Sequence, residues 1–115
     1  MAENTEGYQQ YHDQKRFLGE IEQGIRLANR EIIHGRIPGL SKETILTFAV
    51  AVGRLRARYL QAAMRISVNE AGDPPEDAEI AELRAKREMY EEARLGFEAL
   101  RDAIEKGYID AGGLD

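Results

Sequence analysis

Apolar residues recur along this chain at steps of three and four that add up to seven. In the first third, Tyr11, Leu18, Ile25 and Ile32 fall seven apart, with Ile21 and Ala28 between them. In the middle, Ile45, Val52, Tyr59 and Ile66 repeat the step around Phe48, Leu55 and Ala62. In the last third, Leu83, Tyr90, Phe97 and Ile104 do the same around Ala93 and Leu100. Side chains three and four apart share one face of an α-helix, so each run predicts a helix with an apolar seam. A sustained seven-residue step keeps that seam turned to a neighbour and favours crossing angles near 20°. No strand-like alternation interrupts the pattern.

Two breaks divide the runs. In HGRIPGLS, residues 34–41, Gly35 can close a helix, Pro38-Gly39 turns the chain, and Ser41 offers an N-cap to the next helix. In NEAGDPPE, residues 69–76, Gly72 ends a helix and Asp73 is placed to cap the next. Pro74 and Pro75 then fall in its first turn, and Glu76 completes a capping-box-like pattern. The predicted helices therefore cover about 5–34, 42–69 and 75–107. The glycine-rich end, YIDAGGLD, reads as a flexible tail over 108–115. The expected fold class is all-α: three long antiparallel helices in an up-down-up bundle with heptad-type packing, one domain over 1–115. At 1.5 Å per residue such a bundle is roughly 40–45 Å long.

The middle helix, carrying TFAVAVGRLRARYLQAAM, is the least ordinary. With Ile45 at zero and 100° per residue, its seam falls at about 260° to 340°. Leu46, Ala49, Gly53, Leu60, Ala63 and Met64 form a second apolar arc at about 0° to 100°, which Val50 and Ala57 extend. Only a narrow stripe with Arg54, Arg58, Gln61 and Arg65 stays polar. A typical amphipathic helix has one apolar stripe a little over 100° wide. Two chain neighbours with broad polar faces leave part of this circumference open, so an oligomer is expected, most simply a two-fold dimer. The expected interface residues are Leu46, Ala49, Gly53, Leu60 and Ala63, with Arg56, near 20°, anchoring register through a salt bridge or an intersubunit contact.

Composition narrows the possibilities. The chain of 115 residues has no cysteine, which excludes disulfides and thiolate metal sites. Charged residues make up 32% and the formal net charge is −5. An acidic total argues against nucleic acid or an anionic membrane as partner, even though three arginines share one helix face. The polar opening MAENTEGYQQYHDQK lacks the basic and apolar regions of an export signal, and no apolar run is long enough to span a bilayer. A cytoplasmic location is expected. Charge is unevenly divided: residues 41–69 carry +4, whereas residues 76–106 carry ten acids and six bases. Opposite charge on adjacent helices helps fix register, although each exposed pair contributes only about 0–1 kcal/mol.

Candidate chemistry is sparse. Glu31 and His34 have the E-x-x-H spacing of carboxylate-bridged metal bundles, but the chain has one copy at a helix end, so a metal site requires a symmetric interface to supply the second. His12, followed by Asp13, is an exposed histidine that could accept a phosphoryl group, without further motif around it. Ser41 and Ser67 have no histidine–acid relay, and the glycines form no phosphate loop. Tyr8 and Tyr11 make an aromatic patch at the start of the first helix. The sequence thus points to a non-enzymatic helical interaction protein without cofactor. It reads as a small homo-oligomeric scaffold, adaptor or regulatory subunit that binds itself and another protein. The alternative is a metal-binding bundle built on Glu31 and His34, and a third reading is phosphotransfer through His12.

Overall fold

A computed structural model describes residues 2–67 and 72–110. These form three helices, α1 (Ala2–Arg36), α2 (Lys42–Ser67) and α3 (Asp77–Glu105), and no strand among the described residues. The all-α class and the three helices expected from the seven-residue step are observed.

The helix ends follow local chemistry, in part differently from expectation. Ser41 caps α2 as its spacing indicates: its hydroxyl accepts the N–H of Thr44 at 3.1 Å, while Thr44 Oγ1 accepts the N–H of Ser41 at 2.8 Å. This reciprocal pair is a capping box with threonine in the usual glutamate position. Gly35 does not close α1, which runs one residue further and leaves through Ile37, whose N–H still reaches the oxygen of Ile33. The start of α3 is also different. Pro74 and Pro75 lie before the helix, and Glu76 is the N-cap, extended at φ −70°, ψ 155° and without a side-chain cap bond. A residue that precedes proline is pushed out of the helical region, so Asp73 and Pro74 cannot belong to a first turn. The expected continuation of α2 to residue 69 lies outside the described residues.

α2 and α3 form an antiparallel hairpin. Phe48 meets Phe97 edge-on at 5.6 Å between ring centroids, and Tyr59 stacks with Tyr90 at 6.1 Å. Partners on α3 descend as positions on α2 rise, and the contacts use the two heptad seams. Val52, 6% exposed, sits at the centre of this line. Gly96 faces the same aromatic pair: a Cβ there would lie 3.5 Å from Phe48 Cζ, an ordinary packing contact. The expected ionic contribution to register is not seen. Among the described residues, ion pairs such as Arg94–Glu91, Arg94–Glu98 and Arg101–Glu105 stay within α3, and none joins α3 to α2. Aromatic packing sets the hairpin.

α1 does not complete the bundle lengthwise. At 1.5 Å per residue its 35 residues are about 52 Å long, and the hairpin about 40 Å. The molecule measures 82 × 38 × 18 Å, which places α1 and the hairpin nearly end to end. Contact is confined to the last turns of α1, where Arg30 Nε donates to the oxygen of Gly107 at 2.7 Å.

The chain after α3 makes that junction. Gly107 takes the left-handed conformation at φ 76°, Tyr108 N–H returns to Ala103 O at 2.9 Å, and Gly107 N–H to Ile104 O at 3.1 Å. This is a Schellman closure, in which only glycine avoids the steric cost at the turning residue. It carries Ile109, 7% exposed, under the end of α1. The tail read as flexible from residue 108 is therefore packed through Ile109, and residues 111–115 lie outside the described residues.

Candidate functional site

The chain leaves two apolar stripes open, one on each of two helices. On α2 the second arc faces away from α3: Leu46 is 64% exposed and Leu60 54%, with Val50 and Ala57 also exposed. Gly53, Ala49 and Ala63 are half-buried along its edge. The backbone at Gly53 is open enough that a Cβ would meet nothing within 4 Å. Five of the six residues expected at an interface thus lie on or beside one accessible face.

The sixth, Arg56, turns the other way. Its Nε donates to the Tyr90 hydroxyl at 3.2 Å, and its guanidinium carbon lies 5.4 Å from the centre of the same ring. The expected carboxylate partner is replaced by an aromatic one, a cation–π contact combined with a neutral hydrogen bond. Arg56 is exposed, so its charge stays hydrated and needs no counter-ion.

The second stripe lies on α1, where the sequence pattern placed a seam meant for the bundle. Leu18 is 58% exposed and Ile32 60%, while Ile21 and Ile25 are about half exposed. The side of α1 that touches the rest of the chain is a different one. Arg26, Asn29 and Ile33 are half-buried there, and Arg30 reaches Gly107 from it. That contacting side lies about a third of a turn around the helix from the seam. Nothing in the heptad count distinguishes the two sides, because the contact depends on Arg30 and on a turn 77 positions away.

Between the stripes, at the junction, is an apolar cavity of about 570 Å³. Ile37, Leu40, Ile45, Phe48, Leu100 and Ile109 are among its lining residues. A smaller cavity of about 360 Å³ beside it is bordered by Arg30, His34, Tyr108 and Asp110. Sequence reasoning had no means of finding either, since both depend on the fold-back of Ile109.

The residues considered for chemistry are not brought together. Glu31 and His34 are exposed at the end of α1, and Glu31 does not border the cavity that His34 lines. The wall of that cavity carries one guanidinium, Arg30, and one carboxylate, Asp110. Among the described residues no group of three or more histidine, aspartate or glutamate side chains is placed to hold a metal ion. His12 lies edge-on to Tyr8 at 4.9 Å and to Tyr11 at 6.0 Å, while Asp13 pairs with Arg16 at 3.5 Å. Among the described residues, the resolved changes in proton affinity are on α3 and its cap. Arg94 is held above the ordinary arginine range by its hydrogen bond to Glu91 and then by the charges of Glu91 and Glu98. Lys106 is raised by its bond to Asp102. Neither group lines either cavity.

Among the described residues no helix is long and apolar enough to cross a membrane. Compared with known proteins, the chain matches no family model, and no curated protein and no solved structure is similar to it.

Proposed function

We propose that the protein is a non-enzymatic helical interaction protein that self-associates and serves as a scaffold, adaptor or regulatory subunit in the cytoplasm. One observation carries this reading: the chain exposes 9409 Å². A compact monomer of 13.0 kDa exposes about 6,300 Å² by the usual size scaling. The excess, about 3,000 Å² per chain, is larger than the roughly 800 Å² that each partner contributes to a standard protein interface. The radius of gyration, 23.8 Å, exceeds the roughly 13 Å expected for a domain of this length in the same sense.

The excess is also of the right kind. Leu18, Ile32, Leu46 and Leu60 are each more than half exposed and belong to two continuous stripes rather than scattered positions. Contiguous apolar surface of this extent marks association surfaces. If about 600 Å² of it is covered, the transfer contribution is about 15 kcal/mol before association costs are subtracted.

Light scattering tests the proposal. The expected mass is a multiple of 13.0 kDa at micromolar concentration. Gly53→Arg or Ala49→Arg, each placing a charge on the α2 stripe, is expected to return it to a single chain. A monomer at high micromolar concentration with wild-type sequence would count against self-association.

A further inference from the structure

We infer that the partner is a second copy and that the two copies exchange α1, each laying its α1 seam antiparallel on the other's α2 stripe. This rests on the self-association proposed above and adds which surfaces meet. The two stripes match in spacing. Leu18, Ile21, Ile25, Ala28 and Ile32 ascend by 3, 4, 3 and 4; Leu60, Ala57, Gly53, Val50 and Leu46 descend by the same steps. Setting Leu18 against Leu60 therefore brings Ile21 to Ala57, Ile25 to Gly53, Ala28 to Val50 and Ile32 to Leu46. Three of the five layers join a large side chain to a small one, the size alternation that lets helices interdigitate closely.

Spacing alone also fits a parallel pairing shifted by one step, and charge decides between the two. In the antiparallel arrangement Glu22 flanks the seam on the side of Arg54, level with it to within about 3 Å. Both are exposed, and among the described residues neither has an ion-pair partner. In the parallel arrangement Glu22 falls beside Ala49, and Lys15 falls beside Lys42, a like-charge contact. The helix dipoles add a smaller preference of the same sign.

The junction then selects the second copy over closure within one chain. The Arg30–Gly107 bond and the buried Ile109 hold α1 pointing away from its own α2. The 82 Å length is that open arrangement. The seam of α1 cannot reach the stripe of its own chain without breaking this lock. A two-fold partner meets both needs at once. With the two 37–41 turns beside the symmetry axis, each α1 runs out along the other copy's α2, and one operator covers both stripes on both chains.

The chain has no cysteine, so engineered thiols report the pairing cleanly. The variant Glu22→Cys with Arg54→Cys, treated with a short bis-maleimide, is expected to run at twice 13.0 kDa, while each single variant stays at one chain mass. Both sites are exposed, so circular dichroism of the variants should match the wild type. Linkage of Glu22→Cys alone would mean that two α1 helices pair with each other, and would overturn the exchange. Linkage of Arg54→Cys alone would do so in favour of back-to-back α2 helices. Loss of both thiols without a change of mass would mean closure within one chain. A light-scattering dimer with no linkage in any variant would overturn this pairing while leaving self-association standing; a light-scattering monomer would overturn both.

Discussion

Arg30 Nε donates a hydrogen bond to the backbone oxygen of Gly107, joining α1 to the turn beyond α3 across 77 positions of chain. Around it, Arg26 lays its aliphatic stem against Gly107, with Cδ 3.2 Å from where a Cβ would sit. Arg30→Ala removes this polar tie between α1 and the hairpin's end. An exposed hydrogen bond from a charged donor contributes about 1 kcal/mol. The expected result is faster amide exchange at Tyr108 and Ile109 with little change in total helicity. Unchanged exchange there would mean that apolar contact alone holds the junction.

Two glycines separate backbone geometry from residue type. Gly107→Ala forces a side chain into the left-handed region, which costs about 1–2 kcal/mol before the contact with Arg26 is added. Gly35 lies inside α1, and a Cβ there meets nothing within 4 Å. Gly35→Ala should therefore stabilise by about 0.5–1 kcal/mol. Urea denaturation of the two variants is expected to move the midpoint in opposite directions. A shared direction would contradict the helical end assigned to α1.

The sequence alone made Gly35 the helix stop, ran the third helix to Gly107 and read residues 108–115 as a flexible tail. That outcome shows where pattern reading succeeds and fails. The helices and the α2–α3 seams were legible because Phe48, Val52 and Tyr59 repeat with a period that only a helix satisfies. The cap at Ser41 was legible because it is made by residues three apart. The junction was not, because Ile109 is buried by residues distant in the chain and carries no periodic neighbour. The two sides of α1 were not separated either: the seam is the more apolar side, yet the tie to the hairpin is made by Arg26, Arg30 and Ile33.

Ile109→Ala gives the most direct measure of the fold-back. A buried isoleucine cut to alanine typically costs 2–5 kcal/mol, and a residue that borders an open cavity should fall near the lower end, about 2 kcal/mol. The same substitution in a flexible tail would cost nothing measurable. Thermal unfolding of this variant beside Val52→Ala, the other buried position among the described residues, compares the junction with the hairpin.

Tyr90 combines two contacts that a single change can divide. Tyr90→Phe deletes the hydroxyl that accepts from Arg56 but keeps the ring beneath the guanidinium and opposite Tyr59. The loss should be about 0.5–1 kcal/mol. Tyr90→Ala removes the stacking, the cation–π contact and the packing together, and should cost about 3–5 kcal/mol. Chemical denaturation that found the two variants equal would mean that the hydroxyl bond, not the ring, carries the interaction.

α1 itself should be the most concentration-sensitive part of the molecule. It contains Gly7, Gly19, Gly24 and Gly35, each of which costs about 1 kcal/mol relative to alanine in a helix interior. Over most of its length it has no packing partner among the described residues, and helices in folded proteins draw most of their stability from such packing. Its helicity therefore depends on a cover for Leu18, Ile21, Ile25 and Ile32. On dilution, far-ultraviolet circular dichroism should lose signal in proportion to α1, with α2 and α3 retained, and the loss should coincide with the fall in mass by light scattering. Gly19→Ala, on the outer side of α1 with nothing within 4 Å of its Cβ, should recover part of that signal in dilute solution without changing the mass. If α1 remains fully helical in the dilute monomer, its helix is self-sufficient and the exposed seam is not what stabilises it.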